Sequence, residues 1–523
     1  MPASTNRGAS ATPLLRVPAL RSLEAAAQAT LAPGTLMQRA GAAAARSAIQ
    51  LAAEHGGHIL VLAGPGNNGG DALIAARCLR DHGVDVRVAL LDAPARYRAD
   101  ARTAWQAWCD GRDTTAAVVE MPAALAGATL VIDGLFGIGF NKALPEKARD
   151  WIARVNVAPC PVLALDVPSG MNADTGAVAD IAIDADRTVT FLAAKPGLYT
   201  ADGPDHCGEI VIEALDADDA LAAFVQAPGE HAADIGMQNG PALFAHALRL
   251  RKRNTHKGSF GSVAIVGGDA GMIGAALLAA RMALFAGAGR VYVRMLAPNA
   301  PGVDLLQPEL MLRKSIKDLK LAAIAAGSGM GEDEAAIAAL DEVLDAPCKL
   351  VLDADALNLI AKHPDFAARI AARRTAGKPC AILTPHPLEA ARLLDTDAAD
   401  IQHNRIGAAT RLARQLNAIV VLKGAGTIIA DPRSRWVVNT SGNPGLATGG
   451  TGDVLCGLVA GLLAQHLSPL DAARAAAWLH GAAADDLVAQ GIGPIGLTSS
   501  ELFPAIRATL NRLVSKNSSL RSE

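Results

Sequence analysis

Aromatic residues make up only 3% of the sequence, the formal net charge is −3, and the seven cysteines form no CxxC pair. Each shortage excludes something. Few aromatic platforms and no surplus of positive charge leave no footprint for nucleic acid. Cys78, Cys109, Cys160, Cys207, Cys348, Cys380 and Cys456 are scattered and odd in number, which points away from a zinc site or disulfide framework and toward reduced, mostly buried thiols. No apolar run reaches the roughly 20 residues that a bilayer span needs. The stretch 271–289, for instance, is broken by Arg281, so no membrane partner is expected. The first fifteen residues carry Arg7 but no continuous apolar region or evident cleavage site. They read as part of a frayed tail, residues 1–19, rather than a secretion signal, and the cytoplasm is the expected compartment.

What the chain does have is apolar bulk and punctuation. Hydrophobic residues are 51% of 523, and glycine occurs 50 times. A single core stops growing near roughly 250–300 residues, so at least two domains are expected. Residues 20–54, rich in alanine and leucine with spaced charges, favour a helical cap. Then comes an apolar run at 58–63, the turn GPGNNGGD, and a helical pattern at 72–80. The same grammar recurs at 129–132 before DGLFGIGF and at 161–165 before DVPSGM. Strand, polar loop, helix is the unit of a parallel sheet, and the loops after such strands share one crevice. Strand and turn signals fade toward residues 227–240, read as a linker, and apolar runs resume at 262–266, 321–326, 350–352, 381–383 and 419–422. A second α/β domain is expected over 241–513, with a tail at 514–523 and disorder setting in after Asn511. The first domain is expected over 20–226.

In GPGNNGGD the glycines allow a tight turn and close backbone approach, and the following helix offers free N–H groups to a phosphate. A plain connecting turn is the competing structural reading, and the adjoining Asn67, Asn68 and Asp71 weigh against it. Asp133 and Asp166 each follow an apolar strand. Capping the next helix is the alternative for either one. Amide, carboxylate and the Ser169 hydroxyl, with no clustered His or Cys, suit a monovalent or alkaline-earth cation rather than zinc.

These three loops together resemble the NAD(P)HX epimerase domain across residues 20–223. The resemblance implies a Rossmann-like three-layer sandwich. Asn67, Asn68, Gly69, Gly70 and Asp71, with Gly137, Ile138, Gly139, Phe140, Asn141, Lys142 and Ala143, would contact the hydrated dinucleotide. Asn68, Asp133 and Ser169 would surround K+, and Asp166 would be the acid/base residue. Gln38 stands where an acid is common in that family, Ala72 replaces a usual glycine, and Ile138 and Ala143 alter the GxGxxRP-like pattern of the second loop.

The most specific motif of the second half is NTSGNPGLATGGTGDVL, residues 439–455, ahead of an apolar helix at 454–463. Backbone N–H groups of GGTGD at a helix start can meet negative charge on phosphate while Asp453 points at a reacting oxygen; a capped helix with a flexible approach is the competing reading. KGAGT at 423–427 is a second glycine cradle carrying one cation, and TPHPLEA puts His386 and Glu389 past another strand. GSGMG and DADALN terminate two more strands. Asp353 and Asp355 are candidates to hold Mg2+ through water, with helix capping as the alternative.

This order of motifs resembles the ADP/ATP-dependent NAD(P)H-hydrate dehydratase of the ribokinase-like fold, over residues 241–513. The likeness implies that Lys423, Gly424, Ala425, Gly426, Thr427 and Gly452 bind the adenine nucleotide. Ala275, Gly329, His386 and Asp453 would face the nicotinamide hydrate, with Asp453 as catalytic base, and Ser328 sits where proline is common. It implies repair of NADHX and NADPHX: epimerisation of the R and S hydrates in the first domain, and dehydration of the S hydrate in the second at the expense of ADP (or ATP), giving AMP and phosphate, in a homo-oligomer. Two rivals stay open at this point: a kinase for vitamin alcohols, because the fold and GxGD base serve that chemistry too, and a non-catalytic dinucleotide-binding sensor.

Overall fold

A computed structural model describes residues 11–52, 57–97, 99–110, 118–140 and 142–519. The chain divides into two compact units between Gly236 and Met237. Among the described residues no helix is long and apolar enough to cross a membrane.

The first unit has strands β1 (Pro13–Leu15), β2 (His58–Ala63), β3 (Val86–Leu90), β4 (Ala128–Gly134), β5 (Val162–Leu165), β6 (Arg187–Phe191) and β7 (Glu209–Glu213). Its parallel sheet runs β3-β2-β4-β5-β6-β7. β2 alternates between two cores. Ile59, Val61 and Ala63 pack with helices Val17–Gln28, Thr35–Leu51 and Asn67–Asp81, whereas Leu60 and Leu62 join Trp151 and Ile152 of helix Glu146–Asn156. A strand buried on both faces reads as an unbroken apolar run because its period of two is filled on each side. The result is the three-layer sandwich.

Three tail and linker expectations need correction. Residues 1–19 are not all tail: Leu14 and Leu15 of β1 are wholly buried, Leu15 N donates to Ala194 O at 2.9 Å, and a helix has begun by Val17. Their apolar side chains, scarcely more than a turn's worth, are too short a signal to register as periodicity. The stretch 227–240 is not a bare linker, since it holds a 3-10 turn, Gly229–Asp234, and strand β8, Ile235–Asn239. Nor does order end after Asn511, because helix Leu502–Ser519 continues through the polar residues.

The second unit adds β9 (Ser262–Gly267), β10 (Arg290–Met295), β11 (Met311–Leu312), β12 (Ala323–Ala326), β13 (Lys349–Leu352), β14 (Ile382–Leu383), β15 (Ile419–Leu422), β16 (Thr427–Ala430) and β17 (Trp436–Asn439). From β8 the order is β8-β17-β16-β15-β14-β13-β12-β9-β10-β11. Only β16 runs antiparallel to its neighbours β15 and β17. Helix Thr451–Ala464 lies on this sheet against helix Ile273–Phe285. At Gly457 any Cβ would fall 2.0 Å from Ala279 O, so glycine is what permits that approach. This doubly covered α/β domain has its loops at the carboxyl ends of β9, β12, β13, β14 and β15, where ligands of open sheets collect.

Candidate active sites

In the first unit, the loops after β2, β4 and β5 line one cavity of about 450 Å³. Asn67, Asn68, Asp71, Gly137, Ile138, Gly139, Phe140 and Asp166 all face it. Gly69 and Gly70 do not line it. A Cβ on Gly69 would stand 1.8 Å from Gly64 O, and one on Gly70 2.6 Å from Met37 Cε, so these glycines are demanded by packing beneath the loop. Lys142 and Ala143 are exposed and also stand outside the lining, and Asn141 falls outside the described residues.

Asp166 adopts a left-handed backbone, φ 67°, directly after β5. Its N–H donates to Val189 O at 2.7 Å and the N–H of Val167 returns to Leu165 O at 2.8 Å. That sharp turn ends the strand and aims the carboxyl into the cavity; an aspartate tolerates this conformation better than most side chains. Lys195 donates to Asp166 Oδ1, and also to Thr190 Oγ1 and Phe191 O, both at 2.8 Å. Sequence reasoning missed Lys195, as well as Glu24, Arg21 and Asp100, which line the same cavity. The available signal was a single lysine inside the otherwise apolar run that follows β6. Burial, then the neighbouring Asp166 and Glu24, pushes the Asp71 carboxyl well up. Glu24 is raised by burial and by Asp166, and burial pulls the Lys195 ammonium down while Asp166 holds it up.

Below the cavity floor, Asn68, Asp133 and Ser169 meet around Phe136. Ser169 Oγ donates to Asp133 Oδ1 at 2.7 Å and Ser169 N to Asp133 Oδ2 at 2.8 Å; Phe136 N donates to Ser169 Oγ at 2.9 Å. Asn68 Nδ2 donates to the carbonyls of Phe136 and Leu165, at 2.9 and 3.1 Å. Asn68 Oδ1 is buried with no hydrogen-bond partner. Complete burial lifts the Asp133 carboxyl to about 6, against the pull of the Ser169 and Leu135 hydrogen bonds. A buried, unpartnered amide oxygen in one cluster with a buried carboxylate and hydroxyl could hold a hard, weakly charged cation.

In the second unit, helix Thr451–Ala464 starts after Gly450, φ 88°, and carries Asp453 in its first turn. Burial raises the Asp453 carboxyl to about 6, opposed by the Ser328 hydroxyl beside it and by Lys423, and aided by Asp353. Gly452 faces Lys423: a Cβ there would be 3.5 Å from Nζ. Gly329, φ 57°, brings Ala275 close, since its Cβ would lie 3.2 Å from that of Ala275 and 2.7 Å from Met272 O. Lys423 is braced by Asp353 at 2.7 Å and approaches Glu389 at 3.8 Å.

Gly424, φ 137°, can approach the guanidinium of Arg405 because it lacks a Cβ; one would stand 2.8 Å from each terminal nitrogen. Arg405, missed in the sequence, is almost wholly buried and donates to Lys423 O at 3.1 Å and Leu422 O at 3.3 Å, so it holds up the KGAGT turn. Thr427 closes that turn by donating to Gly424 O at 3.1 Å, and Ala425 and Gly426 form its tip.

His386 is partly structural. Its Nδ1 accepts from Leu388 N at 3.1 Å and Glu389 N at 3.4 Å, capping helix Pro387–Leu394. Nε2 stands 3.3 Å from Glu389 Oε1, and burial lifts the Glu389 carboxyl to about 7. As for Asp355, its Oδ2 accepts from Gly331 N at 2.9 Å. His480, another residue the sequence did not flag, is buried beneath the GGTGD turn with Nε2 unpartnered, and burial holds it neutral, at about 4.

Comparison with known proteins gives the same division. A family model described as NAD(P)H-hydrate dehydratase matches residues 263–507, and one described as YjeF-related protein N-terminus matches residues 33–197. The bifunctional NAD(P)H-hydrate repair enzyme Nnr of Coxiella burnetii is 37% identical over 500 residues, covering 94% of this chain and 98% of that protein. Its Escherichia coli counterpart is 36% identical over 486 residues, 91% and 89% of the two chains. Among solved structures, an ADP/ATP-dependent NAD(P)H-hydrate dehydratase from Bacillus subtilis, co-crystallized with ATP/Mg2+, is 31% identical with a TM-score of 0.44, covering 51% of this chain and 96% of that one.

Proposed function

We propose, for a chain that belongs to the family of bifunctional NAD(P)H-hydrate repair enzymes, a division of labour between two independent sites built around Asp166 and Asp453. The protein repairs hydrated NADH and NADPH, epimerising the hydrates with its first domain and dehydrating them with nucleotide in its second. The observation that carries the residue assignment is shared by both domains: an acid at the exit of a parallel strand or the start of a helix, mostly withdrawn from solvent, with a carboxylate-paired lysine close by.

In the first domain, inverting the hydroxyl-bearing carbon requires a proton to be taken from and returned to the substrate at a water-poor position. Asp166 is the group we assign to that exchange. Asn67 and the Gly137 to Phe140 loop line the dinucleotide's path. The residues around Asn68 Oδ1 fit K+, which would be held by Asn68, Asp133 and Ser169 and would supply fixed positive charge under the loop. Gly69 and Gly70 contribute by shape rather than contact.

In the second domain, hydroxide is a poor leaving group and phosphate a good one. The ring hydroxyl is phosphorylated at the expense of the nucleotide, ADP being the expected donor, and phosphate then departs as the reduced ring re-forms. Asp453 takes the hydroxyl proton, and the N–H groups of the GGTGD turn face the transferred phosphoryl. Among the described residues no group of three or more His, Cys, Asp or Glu is set to hold a metal, so Mg2+ would ride on the nucleotide's phosphates, with the Asp353 and Asp355 loop reaching it through water. Its charge would offset that developing on the phosphates.

A mixture of both epimers of hydrated NADH, given with ADP or ATP, tests the whole reading by recovery of reduced-nicotinamide absorbance. Full recovery of both epimers is expected. An alcohol kinase would leave the hydrate untouched, and a sensor would bind it without turnover.

A further inference from the structure

Lys195 has a feature that separates it from an ordinary substrate-binding lysine. It is wholly buried, and its ammonium carries three N–H donors. All three are committed within the protein: to Asp166 Oδ1, Thr190 Oγ1 and Phe191 O. Nothing is left to offer a ligand. Asp166, by contrast, has one oxygen held and one available. Oδ2 has no hydrogen-bond partner among the described residues, and it lies on the cavity side, 3.4 Å from where a Cβ on Gly137 would project. The lysine grips the far oxygen and leaves the near one bare.

The charges around this pair give the arrangement a purpose. Glu24 and Arg21 reach the cavity from helix Val17–Gln28, Asp71 from helix Asn67–Asp81, and Asp100 from the helix after it. Four carboxyls therefore share the cavity with one arginine and one buried ammonium. Like charges in a site of low polarity disfavour one another's ionised forms. A carboxylate in that company is stabilised by a cation held directly against it.

We propose that Lys195 is the positioning residue of epimerisation: it fixes the Asp166 side chain in one orientation and sets a positive charge against it among Glu24, Asp71 and Asp100, without touching the substrate. The proposal rests on the reading of Asp166 as the acid/base group, and the test separates the two. In the full-length chain, Lys195→Met is expected to lower kcat for epimer exchange about a hundredfold, within the range a positioned acid/base group supplies. KM for the hydrate should change by less than about threefold, because no ligand contact is lost. The acid limb of the pH–rate profile should move to higher pH, because the carboxylate has lost its cation. Dehydration of the S epimer by the same preparation should be unaffected, which reports on the integrity of the chain. Thr190→Val, which removes one acceptor but leaves the ion pair, should move the same limb in the same direction by less, and covers the case in which Lys195→Met fails to fold. Adding Lys195→Met to Asp166→Asn should cost nothing further. A loss confined to KM, an acid limb unmoved in both variants, or independent, multiplying losses in the double variant would overturn the proposal. An Asp166→Asn enzyme that still exchanges epimers would instead overturn the assignment of Asp166.

Discussion

Lys423 donates to Asp353 at 2.7 Å, and this contact ties the loop after β15 to the loop after β13 across β14. The only cation of the KGAGT turn is thereby held against a buried carboxyl, with Glu389 also within 3.8 Å. Lys423→Met would strand two buried carboxyls. The second domain is expected to lose about 3 kcal/mol of stability, as when one partner of a buried pair is removed, read from the midpoint of denaturant unfolding.

Asp453→Asn and Asp166→Asn should have opposite phenotypes. The first is expected to abolish dehydration and spare epimer exchange, the second to do the reverse, each by about two to four orders of magnitude. Rates for the two steps, measured separately on purified epimers, check this. Equal loss of both activities in either variant would refute independent sites.

The dehydration rate should fall as pH drops through about 6, where Asp453 takes up a proton. Stability should move the other way. Asp453 is raised from 3.8 to about 6 and Glu389 from 4.5 to about 7, so between those limits the folded chain binds more protons than the unfolded one. By linkage, these two groups cost stability as pH rises from about 4 to about 7. Activity and denaturation midpoint, measured across that window on the same preparation, should therefore run in opposite directions, and Glu389→Gln should flatten the fall in stability.

Two neighbouring glycines make a sharp pair. Gly69→Ala would push a methyl to within 1.8 Å of Gly64 O, whereas the Cβ site of Gly66 has nothing within 4 Å. Expected is a loss of about 3 kcal/mol in the first domain for Gly69→Ala, with epimerisation lost and dehydration kept. Gly66→Ala should be tolerated. Thermal melts followed by residual activity of each domain would distinguish them.

Exchanging K+ for a bulky organic cation should slow epimerisation and leave dehydration alone if the pocket around Asn68 Oδ1 holds the ion. Asp133→Ala should remove both the activity and its response to K+. A wild-type rate that is flat from zero to about 100 mM K+, well above the range over which a weak site fills, would count against the ion.

Much of this architecture is local and therefore written in the chain. β2, β9 and β15 are runs of apolar residues ending in glycine and polar side chains, and such a run buried on both faces of a parallel sheet carries its own signal. The turns after β2, β4 and β5 also declare themselves, because a tight bend near a ligand needs glycine, and the amides and acids gathered beside it weigh against a plain connecting turn. Thus Asn68, Asp133, Ser169 and Asp166 were legible as a group, as was Asp453 at its helix start.

What could not be read is whatever depends on partners distant in sequence. Lys195 meets Asp166 across 29 residues, and Arg405 supports a loop 18 residues on. Apart from the apolar run around Lys195, nothing near either residue distinguishes it from a surface cation. Gly69 and Gly70 read as ligand contacts, and only the packed position of Gly64 and Met37 shows the close approach their lack of a Cβ also serves. His386 read as a residue facing the nicotinamide hydrate, and its Nδ1 also caps the helix it starts. Composition and punctuation, being properties of adjacent residues, fix strands, turns and the chemistry of each loop. Which oxygen is left bare, which cation is spent and which carboxyl keeps its proton are decided by burial and by charges brought together from far along the chain, and only the folded molecule has those.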